Sequence, residues 1–178
     1  MKQPLIERYS ELWSSLGISK QVVFARNFPL FEQADDLCVA EVSSRGRPFH
    51  LTSVATDMWK AMKTKADLEG VDIKIYSAFR SIDLQTEMIQ SRLKAGRNLT
   101  DILKGTAPPG CSEHHTGRAV DIVTGDLDSL GEDFELTPAF SWLSANACRF
   151  GFTLSFPRQN KFGYVYEPWH WFFSKADD

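Results

Sequence analysis

Two short segments of this 178-residue chain combine histidine with acidic side chains at spacings that suit metal chemistry. Residues 112–121 read SEHHTGRAVD and residues 166–171 read YEPWHW, so together they hold three of the four histidines. A loop imidazole at His114 and a strand carboxylate at Asp121 can converge across the turn that Gly117 permits. Imidazole and carboxylate groups bind Zn²⁺ in proteins, and one more imidazole would complete a three-ligand site with a fourth position for water.

The second segment supplies such an imidazole at His170 and a further carboxylate at Glu167, with Pro168 fixing the backbone between them. A carboxylate beside a zinc site can carry a proton from water to a leaving amine, as a zinc peptidase requires. On spacing alone an alternative stays open, in which these histidines are hydrogen-bonded in loops and bind no metal.

Three motifs resemble, in the same order, those of the VanY- and VanX-like D-alanyl-D-alanine carboxypeptidase and dipeptidase family of zinc metallopeptidases. Residues 112–121 resemble its S-x-H-x-x-G-x-A-x-D signature, residues 167–170 its E-P-W-H segment, and residues 77–81 its S-G-Y-R-S segment. The resemblance covers roughly residues 50–173. It implies a hedgehog-type metal site with one Zn²⁺ per chain, in an enzyme that trims bacterial cell-wall peptides.

The resemblance also implies roles for individual side chains. The zinc ligands would be His114, Asp121 and His170. Glu167 would be the catalytic base, and Arg80 would engage the substrate near the scissile carbonyl or at its terminal carboxylate. The residue type agrees, because a guanidinium can hold a carboxylate or oxyanion through two hydrogen bonds.

Four further side chains are candidates for supporting roles at the same site. Ser112 would bind substrate or orient the metal loop, with a turn-stabilising hydroxyl as the alternative. Trp169 would line the substrate pocket or else pack against the core. Gln85, one turn into its helix, and Ser77 are expected to support the residues that touch the substrate.

Two departures from the family pattern bear on the site. The family commonly continues E-P-W-H-[WF]-R-Y, whereas Phe172 and Phe173 stand here in place of the Arg and Tyr. The loss of a charge and a hydroxyl bears on substrate preference or on the packing behind His170. Phe79 replaces the usual Tyr and removes one hydrogen-bonding group.

Two neighbours of His114 compete with it as ligands. His115 is adjacent, but the motif offset favours His114, and we expect His115 to be partly exposed. Cys111 makes a C-x-x-H spacing with His114 that would suit a closed structural zinc site. We expect His50 and His115 to take no part in the site.

The elements that must position these residues follow from apolar periodicity and from helix caps. The expected elements are a helix over 5–16, a strand over 37–42, a turn over 45–48, a helix over 53–68 capped by Ser53, a strand over 72–79, a helix over 82–95 capped by Ser81, a loop over 106–111, a strand over 118–123, a turn-like segment over 125–136, a helix over 138–149 capped by Thr137, and closing strands over 153–156 and 163–167.

Because strands and helices do not alternate strictly, we expect an α+β fold with helices packed on one side of a small, mainly antiparallel sheet. The resemblance implies the same fold. The length fits a single domain over 1–178. We expect an N-terminal helix and extension over 1–36 and a catalytic core over 37–173.

Composition excludes several other classes of protein. Twenty basic residues against 23 acidic ones give a net charge of −3, and no basic run marks a nucleic-acid surface. No stretch approaches the roughly 20 apolar residues that a membrane span needs. Three cysteines without a C-x-x-C motif favour reduced thiols over a disulfide framework.

We therefore expect a monomer that uses zinc to hydrolyse a peptide bond at or near the D-alanine terminus of a peptidoglycan peptide or a D-Ala-terminated precursor. Two alternatives stay open: an endopeptidase of the same family that cuts inside stem peptides, and a non-catalytic zinc-stabilised binding domain. The first residues of the sequence carry charges at the positions where a signal peptide has its apolar region. As written, the chain is expected in the cytoplasm, or in the periplasm or cell envelope if a leader was removed.

Overall fold

A computed structural model describes residues 3–125 and 129–174 of the chain. The helices span Gln3–Ser15 (α1), Lys20–Ala25 (α2), Ser53–Leu68 (α3), Ile82–Lys94 (α4), Leu99–Ile102 (α5) and Pro138–Asn146 (α6). The strands span Cys38–Val42 (β1), Pro48–Leu51 (β2), Lys74–Ser77 (β3), Ala119–Val123 (β4), Phe152–Leu154 (β5) and His170–Phe173 (β6). Short 3₁₀ helices span Glu113–Thr116, Glu132–Leu136 and Ala147–Phe150. Residues 126–128 of the expected turn-like segment lie outside the described residues.

The strands form a β1–β2 hairpin and a four-stranded sheet in the order β3-β4-β6-β5. Every pair of neighbours in the larger sheet is antiparallel. Its central pair, β4 and β6, places Asp121 directly opposite His170. The predicted α+β class, with small antiparallel sheets and packed helices, is confirmed.

Two hydrophobic clusters hold the fold together. One packs α3 and α6 against the four-stranded sheet and contains the fully buried Trp59 and Phe152. The other joins α1 and α2 to α4 and contains the fully buried Trp13. The chain runs from the second cluster at Cys111 to the first at Val120, so the first histidine segment connects the two clusters.

Most of the expected helices and strands agree with the structure to within a few residues, but several expectations were wrong. Residues 163–167 do not form a strand, because their backbone hydrogen bonds go to loops: the Val165 amide donates to the Lys104 carbonyl and the Glu167 amide to the Phe156 carbonyl. The closing strand instead begins at His170.

Other differences lie near the N-terminus. The expected turn over 45–48 belongs to a hairpin whose second strand, β2, was not predicted, and neither was the six-residue helix α2. The N-cap of α3 is Thr52, and Ser53 is already helical. Among the described residues, no helix has both the length and the apolar character needed to cross a bilayer.

Candidate metal and catalytic site

The first histidine segment leads directly from a tight 3₁₀ turn into the central strand. His114 lies in the 3₁₀ helix, which ends at Gly117 with a φ of 64°, a left-handed conformation that glycine adopts readily. The chain then enters β4, which carries Asp121. Because His170 opens the neighbouring strand β6 opposite Asp121, sheet register brings the three side chains together.

The three side chains form a buried cluster whose dimensions suit a metal ion. The distances are 3.2 Å from His114 Nε2 to Asp121 Oδ2 and 2.9 Å from His170 Nδ1 to Asp121 Oδ1. One ligand atom from each residue lies within 4.8 Å of the other two. Ligands of a tetrahedral Zn²⁺, each about 2.0 Å from the metal, lie roughly 3.3 Å from one another, so this donor set fits zinc.

Hydrogen bonding sets the orientation of the His114 ring. Its Nδ1 lies 2.7 Å from the Ala78 carbonyl oxygen, which can only accept, so Nδ1 carries the proton. The lone pair on Nε2 therefore points toward Asp121 and is free to bind a metal. This arrangement, in which a backbone acceptor orients a ligand imidazole, is usual in metal sites.

Electrostatics keep two of these groups in the form that binds metal. Burial disfavours the charged form of Asp121, but His114 and His170 outweigh it and hold the pKa of this carboxyl well below its usual range. Burial also lowers the pKa of His114, although the negative charge of Asp121 opposes this effect. The lowered pKa favours the neutral imidazole. An ionised carboxylate beside a neutral imidazole is ready to coordinate a cation.

Glu167 lies beside the cluster. Its Oε2 is 4.0 Å from His170 Nδ1, beyond hydrogen-bonding distance, and its side chain is only 12% exposed. Burial raises the pKa of Glu167 to about 7, against the opposing effect of the His170 imidazole. A carboxyl group with such a pKa can both accept and donate a proton near neutral pH.

Arg80 is held rigidly at the edge of the cluster. Its Nη1 donates to Gln85 Oε1 at 2.9 Å, its Nη2 donates to Ser77 Oγ at 3.2 Å, and Nη2 lies 3.8 Å from Asp121 Oδ2. Gln85 is itself fully buried and donates from Nε2 to the Ala107 carbonyl. Gln85 and Ser77, which were expected to support the residues that touch the substrate, therefore both contact the Arg80 guanidinium.

These groups line a cavity of about 630 Å³. The cluster residues, Arg80 and Glu167 share its wall with Ser112 and Trp169, the two other candidates for contact with substrate. Ser112 is buried just before the 3₁₀ helix, while Trp169 is half-buried and also packs against the first hydrophobic cluster. Trp169 is thus part of the cavity wall and also part of the core, and its contact with substrate stays a prediction.

The expectation that His115 is partly exposed was wrong, because this side chain is fully buried. Its Nδ1 donates to the Arg80 carbonyl at 2.7 Å, and its Nε2 accepts from the Gly110 amide at 3.2 Å. Burial lowers the pKa of His115 to about 4 and keeps the ring neutral. His115 therefore ties the segment before α4 to the loop before the 3₁₀ helix.

Cys111 and His50 also lie outside the cluster of His114, Asp121 and His170. Cys111 is buried, burial raises the pKa of its thiol to about 12, and it is not among the ligand atoms that converge on Asp121. His50 lies on β2, where its carbonyl accepts from the Phe79 amide.

One polar contact was not predicted from the sequence. Glu113, in the same 3₁₀ helix as His114, places its Oε2 2.9 Å from His170 Nε2. Its side chain is 13% exposed and lines the cavity. Position next to His114 was no signal for this contact, because His115 is also adjacent and its ring bonds Gly110 and Arg80 instead.

At the positions that depart from the family pattern, the side chains make packing contacts or line the cavity. The Arg118 guanidinium lies over the Phe172 ring at 5.0 Å, and Arg118 Nε donates to the Phe173 carbonyl at 2.9 Å. Phe173 is buried and packs on Phe152. Phe79 lines the cavity with an apolar ring.

The region that contains these residues also matches a known protein family. The family profile described as "VanY: D-alanyl-D-alanine carboxypeptidase" matches residues 48–176, a span that contains all three motifs. The chain belongs to this family. Its N-terminal part, residues 1–47, precedes the region that the VanY profile matches.

Individual relatives agree with this VanY-family membership. The chain is 30% identical over 167 residues to the protein YodJ of Bacillus subtilis (strain 168), a span of 86% of this chain but only 57% of YodJ. Among solved structures, it is similar to the LdcB LD-carboxypeptidase, with 28% identity, a TM-score of 0.70, and coverage of 82% of this chain and 71% of that one.

A second solved structure is the vancomycin-resistance D,D-pentapeptidase VanY, a mutant form in complex with Zn(II). It is 26% identical to this chain with a TM-score of 0.60, over 77% of this chain and 79% of that one.

Proposed function

We propose that this chain is a zinc-dependent carboxypeptidase that hydrolyses a peptide bond at or near the D-alanine terminus of peptidoglycan-type peptides. The observation that carries this proposal is the buried cluster of His114, Asp121 and His170, with Glu167 beside it in one cavity. A structural zinc site has no use for a buried non-ligand carboxylate beside its ligands. VanY-family membership supports the same reaction.

In this proposal His114 Nε2, Asp121 and His170 Nδ1 hold the metal. A zinc ion bound there supplies Lewis-acid chemistry, which lowers the pKa of water and polarises a carbonyl group. Glu167 accepts the proton of the attacking water and later delivers it to the departing amine. Arg80, fixed by its two hydrogen bonds, stabilises the negative charge that develops on the carbonyl oxygen or holds the terminal carboxylate.

The charges around the cavity support a substrate that carries a carboxylate. Arg47 and Arg92 line the same cavity as Arg80, and neither lies within 4.0 Å of a carboxylate in the described part of the chain. Arg92 donates to the Thr106 hydroxyl, and burial lowers its pKa. The partly desolvated Arg92 guanidinium, together with the exposed Arg47 on the same cavity wall, favours an anionic ligand.

The direct test is incubation of the zinc-loaded protein with synthetic peptides that end in D-Ala-D-Ala, with mass spectrometry of the products. Release of a single D-alanine is expected. A parallel peptide that ends in one D-alanine after an L-centre tests L,D-cleavage, and a cross-linked stem peptide tests internal cleavage. Internal fragments alone would identify an endopeptidase, and intact peptides with zinc bound would identify a binding domain.

The role of Glu167 is tested by E167Q, with E87Q as the matched control because Glu87 is an exposed glutamate on α4. We expect E167Q to retain zinc and to lose at least about 100-fold in kcat, since general-base catalysis contributes that much. E87Q should behave like the unmodified protein. Hydrolysis by E167Q at a near-normal rate would refute the assignment.

The ligand assignment is tested by H114A, with H50Q as the control outside the cluster. H114A should lose stoichiometric zinc after dialysis, measured by inductively coupled plasma mass spectrometry, because it removes one of three protein ligands. H50Q should keep one zinc per chain. One zinc per chain in H114A would contradict the proposed ligand set.

We also propose that the active unit is a monomer, because the proposed ligands, base and arginine all come from one chain. Light scattering coupled to size-exclusion chromatography measures this directly, and a mass near 20.2 kDa is expected.

A further inference from the structure

The His170 ring lies between two carboxylates. Its Nδ1 is 2.9 Å from Asp121 Oδ1, and its Nε2 is 2.9 Å from Glu113 Oε2. His170 is 3% exposed and Glu113 only 13%, so protein surrounds most of this contact. Glu113 and His170 are 57 residues apart in sequence, and the contact exists only in the folded chain.

Only one tautomer of a neutral His170 ring is compatible with a metal in the cluster. The ring carries one proton, and the nitrogen that binds a metal must present its lone pair. If Nδ1 carried the proton, the Nε2 lone pair would face the Glu113 carboxylate, and no ligand atom of His170 would face Asp121. With the proton on Nε2, that nitrogen donates to Glu113 and Nδ1 faces the cluster.

We propose that Glu113 is a positioning residue that fixes the tautomer and the ring orientation of His170. This role rests on the metal site of the proposed function. The Ala78 carbonyl performs the corresponding task for His114. One short 3₁₀ helix therefore supplies both a ligand, His114, and the acceptor that orients the ligand on β6.

The contacts assign different tasks to the two glutamates in the cavity. Glu113 and Glu167 are almost equally buried, so burial does not separate them. Glu113 makes a 2.9 Å contact with a ring nitrogen, whereas Glu167 Oε2 stays 4.0 Å from the ring. Glu113 is thus engaged in holding the imidazole, and Glu167 is available for proton transfer.

The test compares the zinc affinity of E113A, E113Q and E167Q, measured by competition with a chromophoric chelator. Loss of an acceptor that orients a ligand histidine costs about 10–100-fold in metal affinity, which is the loss expected for E113A. E113Q should stay within a few-fold of the unmodified protein, because the amide oxygen still accepts from Nε2–H. E167Q should also keep its affinity while losing turnover.

Nuclear magnetic resonance of the ring nitrogens detects the Nε2 proton of His170 directly. A merely structural role of Glu113 would leave the exchange rate of this proton unchanged. In the zinc-loaded protein and in E113Q, His170 should give an Nε2–H signal that exchanges slowly with water. In E113A this proton should exchange rapidly. If E113A does not fold, E113L replaces it, since leucine keeps the side-chain bulk and removes the acceptor.

Unchanged zinc affinity in the acceptor-free variant would overturn the proposal. An E113Q variant as weak as E113A would also overturn it, because charge rather than the hydrogen bond would then be the cause. Zinc affinity is measured without substrate, so absence of peptide hydrolysis would refute the proposed function and leave this result standing.

Discussion

Three acidic side chains that line the cavity have different neighbours. Asp121 faces two imidazoles and stays ionised. Glu113 contacts the outer nitrogen of His170, and Glu167 shares the cavity wall with apolar rings, including Phe156. In the proposed mechanism the same functional group serves as a ligand, an orienting acceptor or a base, because protein surroundings set its proton affinity and its hydrogen bonds.

The cysteines allow a prediction at this scale. Burial raises the pKa of Cys111 to about 12, so at pH 8 almost none of it is thiolate, the form that reacts with alkylating agents. Cys148 is exposed. Iodoacetamide should label Cys148 within minutes and Cys111 only after denaturation, as measured by peptide mass spectrometry. Labelling of both at similar rates in the native protein would contradict the buried position of Cys111.

That His114, Asp121 and His170 lie together could be predicted from residue types and from the resemblance of their motifs, because Zn²⁺ chemistry restricts ligand identity. The burial of His115 could not be predicted in this way. The Ala34 amide donates to the carbonyl of His115, and the ring bonds Gly110 and Arg80. These partners come from distant segments, and neither spacing nor periodicity reports such contacts.

At the scale of elements, the turn at Gly117 sets the angle between the histidine segment and β4. A Cβ atom at this position would lie 2.8 Å from Leu37 Cδ2 and 3.2 Å from the Thr52 amide nitrogen. The Gly117 carbonyl also accepts from that amide at 2.8 Å. The start of α3 and the turn at Gly117 are therefore packed directly against each other.

G117A should destabilise the protein by about 2–5 kcal/mol, the sum of left-handed backbone strain and a forced contact. The control is G46A, where φ is 79° but no atom lies within 4 Å of the added methyl, so only about 1–2 kcal/mol is expected. Urea unfolding measures both. Equal losses in the two variants would show that the contact with Leu37 and Thr52 is unimportant.

The segment over 163–167 shows why a strand pattern can mislead. Its side chains alternate in exposure, as in a strand, but its amides bond to loops and Gly163 has a φ of 65°. Alternating exposure therefore shows only that one side of an extended segment is half-buried. It does not require a neighbouring strand. The motif E-P-W-H lies where this segment joins β6.

At the scale of the whole molecule, the N-terminal segment packs against the loop over 106–111, which leads into the histidine segment, although the VanY profile begins only at residue 48. Trp13 is fully buried and its Nε1 donates to the Pro109 carbonyl at 2.7 Å. The Phe31 amide donates to the Gly110 carbonyl, and Tyr9 packs so closely that a Cβ at Gly110 would lie 2.2 Å from its ring. The first helix thus belongs to the same packed unit as the site.

W13A should lower the free energy of unfolding by about 3–5 kcal/mol, because it empties a large buried volume and leaves the Pro109 carbonyl without its donor. W13F keeps most of the volume and should lose less. Chemical denaturation followed by circular dichroism measures both variants. A loss below about 1 kcal/mol in W13A would show that the N-terminal helix is only loosely attached.

The register that places Asp121 opposite His170 also has a consequence for the time course of folding. The two residues are 49 positions apart, and a slip of one residue between β4 and β6 would turn one of them to the other face of the sheet. Local helices such as α3 can form first, whereas this pairing must close a long loop. A refolding chain should thus gain its helical circular dichroism signal before it can bind a metal ion. The rate of zinc binding during refolding would then report the last stage of sheet assembly.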